Sequence, residues 1–176
     1  MHSIQRLFSA AALTALLSLA GTAYWGEAQA QKATADNAVL RKELEGTYQQ
    51  VRTALKTKNY EAFVALFEPP EGKTLTKAQW PEASAGLSEM LPEASKMRFI
   101  RLIPDNDWAG YFFQEVDNDP NFITVTLFRF HRVGQGWKLS GAVQSNSIRK
   151  EKSDAENKAE IEKWIESKKD IKTVKR

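Results

Sequence analysis

The sequence predicts an α+β domain in which N-terminal helices pack on a curved antiparallel sheet, with an added, highly charged C-terminal helix. Two changes of pattern predict this order. Up to about residue 95 apolar residues recur at spacings of three and four, as on one face of a helix. From Met97 to Ser147 short runs rich in Phe, Thr, Val and Ile alternate with turn residues, and from Ser153 the helical spacing returns among many charges.

The first 30 residues have the pattern of a secretory signal peptide. Arg6 precedes an uncharged, Ala- and Leu-rich segment from Leu7 to Gly26, and Ala28 and Ala30 place small residues where a signal peptidase requires them. We expect cleavage after Ala30 and an exported protein, periplasmic or secreted, whose only membrane contact is the signal segment. A retained anchor is the alternative, because about 20 apolar residues suffice to span a bilayer.

Composition excludes several classes of protein. The formal net charge is +3 and basic residues are interleaved with acidic ones, which does not indicate nucleic-acid binding. There is no cysteine, so disulfides, thiolate metal sites and covalent haem attachment are excluded. His131 is the only histidine after cleavage, so we expect no multi-histidine metal site and no cofactor.

Three helices are expected before the sheet. After a flexible start at residues 31–36, the first runs from about Asn37 to Lys56, and its apolar residues share one face. A short second helix follows from Tyr60 until Pro69 stops it. The third begins near Trp80 and ends before Pro92. The apolar face of the first helix consists of Leu40, Leu44, Tyr48, Val51 and Leu55.

Four strands follow, separated by turn residues. Their predicted bounds are Met97–Ile103, Trp108–Val116, Phe122–Val133 and Gly136–Ser147. Gly134 and Gln135 form a two-residue hairpin turn, which pairs Val133 with Gly136. If the turn before Phe122 pairs that residue with Val116, Phe112 lies opposite Thr126 and the faces of all the strands are fixed.

On this register one face is apolar and is expected to lie under the helices as the core. It carries Trp108, Phe112, Phe128, Phe130, Trp137, Leu139 and Val143. Polar side chains on the same face suggest a small-molecule pocket among aromatic residues. The candidate ligand-binding residues are Trp108, Phe112, Gln114, Thr124 and Thr126.

The opposite face is mixed, with an apolar middle and a polar end. Either the helix around Trp164 covers it or a second copy of the chain does, since exposed apolar patches usually mark interfaces. The second case predicts a homodimer through the sheet. Its candidate interface residues are Tyr111, Phe113, Ile123, Val125 and Leu127.

Two stretches resemble a known superfamily. Lys58-Asn59-Tyr60-Glu61-Ala62-Phe63 is similar to a link between two helices, and Phe128 to Leu139 is similar to a final hairpin, in the nuclear-transport-factor-2-like superfamily. The resemblance covers about residues 37 to 147 and implies a cone-shaped α+β fold, shared with ketosteroid isomerases and polyketide cyclases. The family usually places a strand between the second and third helices, and this sequence predicts no strand there. Fold alone does not give activity.

The residues leave three hypotheses for function. The first is an exported, non-enzymatic domain that binds a small apolar ligand or a protein partner. The second is a cofactor-free isomerase or cyclase, which requires a titratable side chain in the cavity; Tyr48, Glu61 or Glu89 could enter it from the helices. The third is a structural or assembly role. No catalytic residue is assigned, and His131 is expected beside Arg129 on the face away from the helices.

The predicted organisation is therefore one cone-like domain with extensions at both ends. The domain spans residues 37–150, after the signal peptide at 1–30 and the flexible start at 31–36. Residues 151–176 form the charged C-terminal helix and a basic tail.

Overall fold

The computed structural model describes residues 35–116, 119–150 and 153–172. The chain divides into two units, Met1–Leu40 and Arg41–Arg176. Residues 35–40 of the first unit are helical, and the architecture below belongs to the second. The predicted signal peptide, its cleavage site at Ala28 and Ala30, and the basic tail beyond residue 172 lie outside the described residues.

Four α-helices occur among the described residues. Helix α1 covers residues 35–56, α2 is Tyr60–Leu66, α3 is Trp80–Met90 and α4 is Asp154–Glu166. Helix α1 includes residues 35 and 36, the last two of the predicted flexible start; residues 31–34 lie outside the described part of the chain. No helix in the described part of the chain is long and apolar enough to cross a membrane.

Six strands form one sheet, and the α+β class is confirmed. The strands are β1 Phe67–Glu68, β2 Met97–Asp105, β3 Trp108–Glu115, β4 Phe122–Val133, β5 Gly136–Ser140 and β6 Gln144–Arg149. Their order is β1-β5-β4-β3-β2, and β6 also pairs with β4. The pair β1–β5 is parallel and the other pairs are antiparallel.

The predicted fourth strand is two strands, β5 and β6. They pair with different parts of β4: β5 with its end at Phe130–Val133 and β6 with its start at Phe122–Leu127. The break is at Gly141, where a Cβ atom would lie 2.7 Å from the Phe67 ring and 2.8 Å from Pro70 Cδ. Only glycine allows the chain to pass this close to the β1 segment, which periodicity could not indicate.

The inner face of the sheet packs against α1. The Tyr48 and Phe128 rings lie 5.1 Å apart between centroids, and Trp137 Nε1 donates to Glu43 Oε2 over 3.1 Å. The residues of this face include Ala109, Tyr111, Phe113, Thr126, Phe128, Phe130, Trp137 and Leu139.

The predicted register between β3 and β4 is wrong by one residue. Phe112 pairs with Leu127 rather than with Thr126, which pairs with Phe113. A one-residue slip moves every side chain of a strand to the other face. Trp108, Phe112 and Gln114 therefore lie on the outer face, while Tyr111 and Phe113 lie on the inner face. The predicted register of the β4–β5 hairpin, with Val133 opposite Gly136, is confirmed.

The outer face is covered by the C-terminal segment of the same chain, one of the two expected alternatives. Phe112, Leu127, Ile165 and Ile171 form a fully buried group, here called the outer core. Trp164 packs its ring edge-on against Phe112, with centroids 5.8 Å apart. Apolar residues are therefore buried on both faces of the sheet.

Helix α4 is held at both ends. At its start Ser153 and Glu156 form a complete capping box. Along its length Arg101 Nη2 binds Glu162 Oε2 over 2.7 Å. Beyond its end, Ile171 packs so close to Gly110 that a Cβ there would lie 2.5 Å from Ile171 Cδ1.

Candidate functional site

A cavity of about 250 Å³ lies between α1 and the inner face of the sheet. Its walls come from one side of α1, the segment that leads into β2, and strands β3 and β4. An engineered cavity of about 150 Å³ holds benzene, so this one has room for a ring with a short side arm. The lining residues are Arg41, Leu44, Glu45, Tyr48, Gln49, Ala94, Met97, Tyr111, Phe128 and Phe130.

The deep part of the cavity is apolar. Leu44 is fully buried, and Phe128 and Phe130 are each 1% exposed. Leu44 and Tyr48 are four residues apart on α1, so the helix presents both to the same sheet face. A floor of aliphatic and aromatic side chains favours an apolar ligand body.

The outer end of the cavity carries Arg41, Glu45 and Tyr111, here called the polar rim. Arg41 Nε donates to Glu45 Oε1 over 2.8 Å, as residues four apart on a helix can. The Tyr111 hydroxyl donates to the same oxygen over 2.7 Å. The Arg41 and Glu45 side chains are 42% and 40% exposed, so these two rim residues meet solvent, while Tyr111 and the floor are buried.

The Arg41 guanidinium is fixed from two directions. Its Nε is bound by Glu45, and its carbon lies 4.0 Å from the centroid of the Phe99 ring. Stacking on an aromatic face stabilises a cation and restricts its rotation. A guanidinium has five N–H donors, so donors on Nη1 and Nη2 remain for a ligand.

Both tyrosines of the cavity are held in the neutral form. Burial raises the pKa of Tyr48 above its ordinary value of 10.0. Burial, and then the hydrogen bond to Glu45, raises the pKa of Tyr111 in the same direction. The hydrogen bond to Glu45 also raises the pKa of Arg41, so the guanidinium stays charged. The cavity thus presents two neutral phenols, one cation and one anion.

The five predicted ligand-binding residues do not line this cavity. Trp108, Phe112 and Gln114 lie on the outer face because of the register shift. Thr126 is on the inner face, but its hydroxyl donates to Glu115 Oε1 over 2.8 Å and lies 2.8 Å from Ser145 Oγ. The Thr124 hydroxyl lies 3.2 Å from Ser147 Oγ. These polar groups bind the β4–β6 pair together.

The five predicted interface residues are divided between the faces. Tyr111 lines the cavity, and the Phe113 ring lies 4.7 Å from that of Phe128 on the inner face. Val125 and Leu127 are fully buried on the outer face, and Ile123 pairs with Ile148 of β6. The five residues therefore do not form a single surface, and each is at least partly buried.

Sequence reasoning missed Arg41 and Glu45. Their signal is an ordinary helical ion pair that flanks the apolar stripe of α1, and such pairs are common on solvated faces. Tyr48 was among the helix residues considered, and it lines the cavity. Glu61 does not: it pairs with Lys77 Nζ at 2.6 Å on the surface.

His131 belongs to a different groove. It lies on the outer face, stacked on Trp108 at 4.4 Å between centroids, and its Nδ1 is 2.9 Å from Glu68 Oε2. The groove, of about 450 Å³, is also lined by Tyr60 and Lys138. In the described ranges no group of three or more His, Cys, Asp or Glu side chains is placed to hold a metal ion.

Comparisons with known proteins give no family for this chain. No protein-family model matches it. No curated protein matches it significantly.

Proposed function

We propose that this protein is an exported, non-enzymatic domain that binds a small, largely apolar ligand in the cavity between α1 and the sheet. The observation that carries the proposal is the cavity itself: about 250 Å³ with a floor of Leu44, Phe128 and Phe130 and a polar rim at one end. A mostly apolar pocket with a few convergent polar groups is typical of small-molecule sites.

Binding is better supported than proton transfer because the polar groups of the cavity already hold one another. Glu45 Oε1 accepts hydrogen bonds from Arg41 and Tyr111. The Tyr48 hydroxyl donates to the backbone oxygen of Pro92. The raised pKa of each tyrosine disfavours phenolate formation near neutral pH.

A cofactor-free isomerase or cyclase is the second candidate, and one observation favours it. Glu45, a carboxylate, lines the cavity, which meets the requirement for a titratable group within reach of a ligand. Its Oε2 keeps hydrogen-bonding capacity. Turnover of a bound compound that Glu45→Gln abolishes without weakening binding supports the enzyme instead.

The topology also supports the resemblance to the nuclear-transport-factor-2-like superfamily. Strand β1 lies between α2 and α3, where that family places its first strand, and it pairs with β5 of the final hairpin. A ligand cavity between helices and sheet suits such a cone-shaped domain. An assembly role through the sheet is less well supported, because α4 and Ile171 occupy the outer face.

Export is the part of the proposal that depends on residues 1–30. The order of Arg6, the uncharged segment and the small residues Ala28 and Ala30 supports it. Mass spectrometry of the exported protein should give a chain that begins at Gln31. A mature chain that retains Arg6 indicates an anchor.

A variant that obstructs the cavity tests the binding function. Ala94 lies on the cavity wall yet is exposed, so Ala94→Phe places a ring at the opening without disturbing the core. Ala85→Phe, at an exposed position on α3, is the matched control. In NMR titrations with ethylbenzene, the wild type and the control should show saturable shifts at Leu44 and Phe128, and Ala94→Phe should lose them. Equal shifts in all three proteins contradict the proposal.

A further inference from the structure

The charged groups of the cavity lie together at one end, and their opposite charges sum to zero. Among the lining residues the charged ones are Arg41 and Glu45, joined at 2.8 Å. The other polar groups there, Tyr48, Gln49 and Tyr111, are uncharged, since both phenols have a raised pKa. A ligand's head group at the rim therefore meets a pair with no net charge.

The rim nevertheless offers one donor and one acceptor side by side. Arg41 keeps N–H donors on Nη1 and Nη2, and it is oriented by Phe99 at 4.0 Å. Glu45 receives both of its hydrogen bonds on Oε1, which leaves acceptor capacity on Oε2. A hydroxyl or primary amide satisfies both, because it donates to Glu45 while accepting from Arg41.

Charged head groups fit this pair less well. A carboxylate can accept from Arg41, but it lies against the Glu45 carboxylate and is repelled. An ammonium can donate to Glu45, but it lies against the guanidinium. Either one gives up hydration for a single favourable contact and one unfavourable one, whereas a neutral head group is satisfied on both sides.

We infer that the cavity selects ligands with an apolar body and a neutral head group that both donates and accepts a hydrogen bond, such as an alcohol or a primary amide. This inference rests on the proposed binding function. The Arg41–Glu45 pair acts as the selectivity element, and the floor accepts the apolar body independently of the head group.

Four compounds with one common body test it. They are 2-phenylethanol, phenylacetate, 2-phenylethylamine and ethylbenzene, titrated at neutral pH, where the acid is ionised and the amine protonated. We expect 2-phenylethanol to bind the wild type about 3- to 10-fold more tightly than ethylbenzene, the range of one or two modest hydrogen bonds. The two charged compounds should bind at least about tenfold more weakly than the alcohol.

Two charge-removing variants sharpen the test. Glu45→Gln leaves Arg41 uncompensated, so phenylacetate should become the tightest of the four. Arg41→Gln leaves the Glu45 carboxylate uncompensated, so 2-phenylethylamine should become the tightest-binding of the four compounds. Glu82→Gln and Lys42→Gln remove the same charges at exposed positions outside the cavity lining and should keep the wild-type order. Because the Arg41 and Glu45 side chains are about 40% exposed, we expect both variants to fold, and their thermal unfolding checks this.

The outcomes separate this inference from the function on which it depends. If ethylbenzene or phenylacetate binds the wild type as tightly as the alcohol, head-group selection is refuted while the apolar cavity remains a binding site. If the variants keep the wild-type order, the Arg41–Glu45 pair is not the selectivity element. If none of the four compounds binds the wild type, the binding function itself fails.

Discussion

At the scale of single residues, the candidate site depends on Glu45, whose carboxylate accepts hydrogen bonds from two other residues. One carboxylate oxygen accepts from a guanidinium on the same helix and from a phenol on β3, so the rim is tied to both α1 and the sheet. The spacing of four residues permits the Arg41–Glu45 ion pair, but the sequence cannot place Tyr111 opposite it, because that contact joins positions 66 residues apart. The predicted face of Tyr111 was wrong because the β3–β4 register is shifted by one residue.

The buried phenols predict a specific pH dependence of stability. Below pH 10 Tyr48 and Tyr111 are protonated in both the folded and the unfolded chain. As pH rises past that value the unfolded chain loses these protons while the folded chain retains them, because its pKa values are raised. The free energy of unfolding should therefore fall, by up to about 1.4 kcal/mol per pH unit for each tyrosine.

Chemical denaturation between about pH 9 and about pH 11 measures this fall. Tyr111→Phe should show a shallower decline than the wild type, because it lacks one of the two phenols whose pKa is raised. The two proteins share every other titratable group, so the difference between their slopes isolates Tyr111. The same slope in Tyr111→Phe and the wild type contradicts a raised pKa for Tyr111 in the folded protein.

At the scale of elements, the sequence predicts most strands but not every face. The bounds of β4, Phe122–Val133, and the β4–β5 register follow from its composition and from the Gly134–Gln135 turn. Strand β3 contains three consecutive aromatic residues, Tyr111 to Phe113, so its pattern does not distinguish a buried face from a solvated one. Because α1 covers one side of the sheet and α4 covers the other, apolar residues occur on both faces of β3.

The contact between Gly110 and Ile171 predicts how the C-terminal segment is held. A Cβ at position 110 would lie 2.5 Å from Ile171 Cδ1 and 3.2 Å from Leu127 Cδ1, so Gly110→Ala should lower the free energy of unfolding by about 1–3 kcal/mol. Gly136→Ala is the control, because a Cβ there meets no atom within 4 Å. Urea denaturation measures both.

A double variant with Gly110→Ala and Ile171→Ala tests whether the Ile171 side chain causes the destabilisation expected for Gly110→Ala. In the double variant the clash is relieved, so its destabilisation should be smaller than the sum of the two single variants. If the changes in the free energy of unfolding are strictly additive, the destabilisation by Gly110→Ala does not arise from a clash with Ile171.

At the scale of the whole molecule, the fold class follows from the order of patterns along the chain, and the cavity does not. Helix periodicity identifies the face of α1 that carries Leu44 and Tyr48, and strand composition identifies Phe128 and Phe130. How far apart those surfaces lie depends on the packing of α1 against the whole sheet. A gap of about 250 Å³ is therefore visible only once the domain is assembled.

A crystal structure of the protein soaked with 2-phenylethanol shows directly whether the α1 cavity binds a neutral, largely apolar ligand. We expect electron density for the phenyl ring between Leu44 and Phe128, with the hydroxyl within hydrogen-bond distance of Arg41 and Glu45. Density in the groove beside His131 together with an unoccupied α1 cavity, or no density at a concentration that saturates the NMR shifts, contradicts the proposed function.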